Sequence, residues 1–149
     1  MNHAPEKALV SACLLGIACR YDGGHKHSAE TETLKKRFEL VPVCPEQLGG
    51  LPIPRPPAEI RGGDGGDVLD GNAHVIQIET GRDVSGAFVA GAEETLLIAK
   101  SYNIRKAFLK SRSPSCGCGE IKVGGEVIPG DGVTTALLKR NGIEVEAVE

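Results

Sequence analysis

The sequence predicts an α/β fold, a single layered domain over residues 1–149 with a mostly parallel sheet and a small hairpin, and three observations carry that prediction. Short apolar runs alternate with longer amphipathic stretches, the pattern of strands and helices taken in turn around a largely parallel sheet. A chain of 149 residues is about one ordinary domain, long enough to bury roughly two thirds of the surface that its unfolded form exposes. No internal repeat and no interdomain linker breaks it, so one Rossmann-like layered unit accounts for all of it.

The first strand is expected at Ala8–Ala12, followed by a helix from Ser28, a suitable N-cap, to Phe38, and a second strand at Leu40–Val43. A long stretch rich in Gly and Pro then separates Cys44 from Val75. Loops of that length in a compact domain are functional or disordered. The prolines between Leu48 and Pro57 restrict the backbone and suggest an ordered wall of an active site, whereas Arg61–Asp67, with four glycines, suggests a mobile hairpin. A strand follows at Val75–Glu79, then a helix at Val84–Tyr102, with Phe88, Leu96, Ile98 and Ala99 on its apolar side and Glu93 and Glu94 on the other. The remaining elements are a strand at Ala107–Leu109, a hairpin at Ile121–Val127 turning on Gly124 and Gly125, a helix at Val133–Arg140 stopped by Asn141 and Gly142, and a strand at Val145–Val148.

Composition narrows the function classes. A formal net charge of -3 argues against bulk electrostatic binding of long nucleic acid, and 3% aromatic residues with no Trp leave few platforms for stacking single-stranded bases. The N-terminal Met1–Lys7 has no basic segment followed by a long apolar one, so the expectation is a soluble cytoplasmic protein that binds a small molecule and no membrane. Five cysteines, an odd number without a secretory signal, read as buried thiols, catalytic thiols or metal ligands instead of disulfides.

Cys13, Cys44 and Cys116 each follow a strand-like run and open into a loop of small residues, Gly or Pro. If the strands are parallel, the three thiols emerge on one rim, where open α/β sheets keep their ligand crevice. Cys19 is either a further ligand or a buried thiol, and of Cys116 and Cys118 a single ligand is the simpler expectation. Glu46, two residues after Cys44, is either a proton acceptor near substrate or the glutamate of a helical first turn begun by Pro45. Ser113 is among the hydroxyls and amides available to a ligand in the third loop. His3, His25, His27 and His74 show no ligand spacing, and paired Cys-x-x-Cys knuckles are absent, so structural zinc is a weak alternative. Three soft thiolates suit an iron–sulfur cluster with one iron not held by protein. The glycines at 62–66 match no phosphate-binding pattern and are not expected between a strand and a helix. Asp131–Thr135 reads as the cap of the last helix, with its amides also able to face the crevice.

Ser-Ala-Cys-Leu-Leu-Gly at 11–16 with Cys-Arg-Tyr-Asp-Gly at 19–23, Val-Cys-Pro-Glu-Gln-Leu-Gly-Gly-Leu-Pro-Ile-Pro-Arg-Pro-Pro at 43–57, and Lys-Ser-Arg-Ser-Pro-Ser-Cys-Gly at 110–117 resemble the signatures of the thiouracil desulfidase family, in order and over nearly the whole chain. The resemblance implies a cytoplasmic bacterial enzyme, a carbon–sulfur hydrolase that turns thiouracil or a related thiolated pyrimidine into uracil and hydrogen sulfide without net redox. It implies a 4Fe-4S cluster with three cysteine ligands, Cys13, Cys44 and Cys116, and one open iron. Glu46 and Ser113 would be the acid–base and substrate-orienting groups, with Cys19 and Cys118 outside the cluster. Two competing readings are a cluster- or thiol-based sensor without turnover, and a metal-free enzyme with one essential nucleophilic cysteine.

Overall fold

The computed structural model describes residues 5–149; His3 and the start of the N-terminal segment lie outside the described residues. Four strands form one wholly parallel sheet in the order β2-β1-β5-β8: β1 (Glu6–Ser11), β2 (Phe38–Val43), β5 (Lys106–Lys110) and β8 (Glu144–Val148). The sheet has the mostly parallel character expected from the alternation of runs. Strands buried on both faces are apolar without alternation. Ala8, Leu9 and Val10 of β1 and Ala107 and Leu109 of β5 accordingly show no exposed surface.

Alternation across the pleat divides these side chains between two cores. Ala8 and Val10 pack with Phe108, Leu34 and Val148 on one face, while Leu9, Ala107 and Leu109 pack with Ala99, Ile104 and Leu138 on the other. Burying one side chain of the size of Leu9 stabilises the fold by about 1.5–3 kcal/mol. The first face carries α1 (Glu30–Arg37), and the second carries the long α4 (Ser85–Ser101) and α5 (Val133–Arg140). On α4 the buried positions are Phe88, Gly91, Ala92, Thr95 and Ala99, with Leu96 and Ile98 only partly covered and Glu93 and Glu94 in solvent. Pro42 sits on the edge strand β2, where a missing N–H is tolerated.

Two antiparallel pairs flank the sheet where one hairpin is expected: β3 (Ala58–Arg61) with β4 (His74–Gln77), and β6 (Glu120–Val123) with β7 (Glu126–Pro129), turning at Gly124 and Gly125. β4 therefore pairs with β3, outside the parallel sheet. The glycine run at 62–66 is neither a hairpin nor detached from regular structure. It joins β3 to a short helix α3 (Gly65–Leu69), held by a capping box in which Asp64 accepts from the Asp67 amide and Asp67 from the Asp64 amide. An anionic cap occupies that helix start, so the run remains unsuited to phosphate. The α1 helix begins two residues later than expected, Ser28 accepting the Glu30 amide at 3.2 Å.

Candidate functional site

Register brings the loops together. Ser11 lies opposite Val43, so the chain leaves β1 toward Cys13 and β2 toward Cys44 at the same edge. The Lys110 amide donates to Ser11 Oγ at 2.9 Å, tying the end of β5 to the end of β1. Cys13 lies in a 3-10 turn, Ala12–Leu15, closed by Gly16 at φ 93, a left-handed conformation that favours glycine. Cys44 precedes the one-turn helix α2 (Pro45–Leu48), with Pro45 at its first position, so Glu46 is indeed a first-turn glutamate, and it faces the cavity described below.

The third loop is held by α5. Thr135 Oγ1 donates to the Cys116 carbonyl at 2.8 Å, and the Val133 and Thr134 amides donate to the Pro114 and Ser115 carbonyls at 2.8 and 2.9 Å. The first amides of α5 are thus consumed by the loop and do not face the crevice, against one of the two expectations for Asp131–Thr135. Ser113 Oγ accepts the Cys116 amide at 2.7 Å, which leaves its hydroxyl hydrogen available to another acceptor. Cys118 turns away from the cavity and lies 3.5 Å from the Val145 carbonyl.

A cavity of about 620 Å³ collects Cys13, Cys19, Cys44, Glu46, Ser113 and Cys116 along its wall. The Cys44 thiol donates to the Cys19 carbonyl at 3.7 Å, and the Cys13, Cys19 and Cys44 thiols stand near enough to perturb one another. The neighbouring Cys19 holds the Cys13 thiol below its ordinary value, and Cys13 in turn pushes Cys19 up to about 11. The neighbouring Cys19 thiol, burial and the Glu46 charge push Cys44 up as well. Burial, then Glu46, pushes Cys116 up to about 12. Cys19, which the resemblance leaves outside the cluster, is a fourth thiol of the same cavity, buried at 3% exposure.

Sequence reasoning passed over Arg55. Its guanidinium is buried, with Nη2 3.0 Å from Glu46 Oε2 and Nη1 3.3 Å from the carbonyls of Cys19 and Pro52. The available signal was a lone charge inside the proline run 52–57, where an exposed loop would carry several polar residues. Arg20, Lys26, Lys110, Arg112 and Lys122 also line the cavity, against the acids Glu46 and Glu59, so its field favours electron-rich solutes.

Among the described residues, no three His, Cys, Asp or Glu side chains crowd closely enough to hold a single metal ion. A polynuclear cluster takes one thiolate at each corner, and its ligands need no common point. His27 and His74 lie at the surface, 3.6 Å from Glu32 and 2.9 Å from Asp83, and none of the described histidines lines the cavity.

The family model described as 2-thiouracil desulfurase matches residues 8–149. A protein of Bacillus subtilis (strain 168), the uncharacterized protein YbbK, is 48% identical over 140 residues, which are 92% of this chain and 92% of that protein. A solved structure, the 4Fe-4S-dependent thiouracil desulfidase TudS, superposes with a TM-score of 0.81 at 45% identity, covering 95% of this chain and 90% of that one.

Proposed function

The chain belongs to the 2-thiouracil desulfurase family, and from that premise we propose that it takes the sulfur from thiouracil or a related thiolated pyrimidine and releases uracil and hydrogen sulfide. Water supplies the oxygen. One carbon–sulfur double bond is exchanged for a carbon–oxygen double bond, both protons of the water leave with the sulfide, and no net electron transfer is required. The observation that carries this reading is the meeting of three thiols, delivered by neighbouring strands of one parallel sheet, with Glu46 and Ser113 on the wall of a single cavity.

Cys13, Cys44 and Cys116 would hold three irons of a 4Fe-4S cluster and leave the fourth to the substrate. The donor set fits such a group: it is all thiol, soft, free of imidazole, and spread around a cavity instead of crowded at a point. When bound, the cluster supplies a Lewis-acidic iron for the substrate's sulfur, which makes the ring carbon more electrophilic. Glu46 accepts the proton of the attacking water. Ser113, its oxygen taken by the Cys116 amide, donates its remaining hydrogen to the ring or relays a proton. Leu51, Pro56 and Pro57 form an apolar flank that limits the access of bulk water. The whole chain, residues 1–149, works as one domain in the bacterial cytoplasm on a small molecule, without a membrane or long nucleic acid. No helix among the described residues is long and apolar enough to cross a membrane.

Protein purified and reconstituted without oxygen should contain about four irons per chain and convert thiouracil to uracil and sulfide over many turnovers. Binding without product would instead be the behaviour of a sensor and would end the enzymatic reading. Full activity in iron-free protein would transfer the chemistry to a nucleophilic thiol.

A further inference from the structure

We propose that Arg55 is the positioning residue of the Glu46 carboxylate, an inference that rests on Glu46 being the proton acceptor. Glu46 stands in the first turn of a one-turn helix, and a glutamate side chain has three rotatable bonds to fix. Among the described residues, its only side-chain hydrogen bond is the one that Oε2 accepts from Arg55 Nη2 at 3.0 Å. Oε1 takes none and belongs to a residue that lines the cavity. One oxygen is anchored and the other is left to the solute.

Arg55 is itself immobilised. Its side chain is 5% exposed, its amide donates to the Tyr21 carbonyl at 2.7 Å, and Nη1 reaches the Cys19 and Pro52 carbonyls. A planar guanidinium serves a carboxylate and two carbonyls at fixed angles, which a lysine ammonium does not reproduce. Two of the three carbonyls that anchor it, those of Cys19 and Tyr21, belong to the loop that carries the Cys19 thiol, and the third, that of Pro52, to its own proline loop. The carboxylate is therefore aimed by the walls of the cavity and not by its own short helix.

The test is a double-mutant cycle with Arg55→Met, Glu46→Gln and the pair, reading kcat, KM, iron content and Tm on reconstituted protein. Arg55→Met should retain its iron and lower kcat by on the order of 10²-fold with KM little changed. Arg55→Lys should recover part of that loss. In the Glu46→Gln background, Arg55→Met should have almost no further effect, because its action passes through the carboxylate. Where Arg55→Met does not accumulate as folded protein, Arg55→Lys runs the same cycle. Equal losses in both backgrounds, or loss of iron in both arginine variants, overturn the proposal alone. An inactive wild type, or a fully active Glu46→Gln, overturns the reading beneath it and the proposal together.

Discussion

Cys116 and Cys118 are separated by one glycine and have opposite surroundings, which shows how a side chain's role is set by what grips its backbone. Thr135 and Ser113 hold Cys116 by its carbonyl and amide, and its thiol joins the cavity; Cys118 lies against the Val145 carbonyl. A spacing of two residues indicated a single ligand, the resemblance pointed to Cys116, and the physical reason for its placement, the grip of α5 on its carbonyl, became visible only in the fold. Serine substitution of Cys13, Cys44 or Cys116 should each abolish iron retention on anaerobic reconstitution, while Cys118→Ser keeps both iron and turnover. Cys19→Ser should also keep its iron, since Cys19 stands outside the proposed ligand set. Glu46→Gln should preserve the cluster's visible spectrum and suppress turnover; full activity in that variant would remove Glu46 from the mechanism. Arg55 was harder to foresee because its meaning is relational. A guanidinium in a proline loop becomes informative only when the carboxylate nine residues earlier is seen beside it.

Among the elements, the placement of α2 depends on two glycines. A side chain on Gly49 would meet the Ala87 carbonyl, and one on Gly91 would meet the Pro45 carbonyl, so α2 and α4 approach backbone to backbone. Gly91→Ala should cost about 1–3 kcal/mol through overpacking and lower Tm by several degrees. Because it pushes on the segment bearing Cys44 and Glu46, turnover should fall with iron retention still measurable. The strands β1, β2, β5 and β8 and the helices α4 and α5 were legible because their apolar positions follow the period of the element or form unbroken runs. Others were not. α3 hides among glycines, which have low helix propensity, and is held by the reciprocal Asp64 and Asp67 caps. β3 follows prolines and buries Glu59, whose Oε2 accepts the Gly124 amide at 2.7 Å, so its pattern does not alternate cleanly between apolar and polar.

For the molecule as a whole, the parallel order β2-β1-β5-β8 turns three positions remote in sequence into neighbours. That convergence was readable from the strand-like runs before each cysteine, since parallel strands deliver their following loops to one rim. The antiparallel flank that closes the cavity was only partly readable, because β3 and β4 are joined through a helix that the composition conceals. A ligand held by all three loops binds the folded state and not the unfolded one, so loading stabilises the fold. Thermal denaturation should therefore show a lower Tm for the iron-free protein than for the reconstituted one, with the far-ultraviolet circular dichroism of the sheet and helices preserved at low temperature. Equal Tm values would mean that the loops do not share the load.

The same order has a consequence for biosynthesis. Cys13 and Cys44 leave the ribosome well before β5 exists to pair with β1, and α5, which grips the third loop, emerges later still. During translation the pocket has two sides and no floor. The site is complete only once α5 has emerged and gripped the third loop.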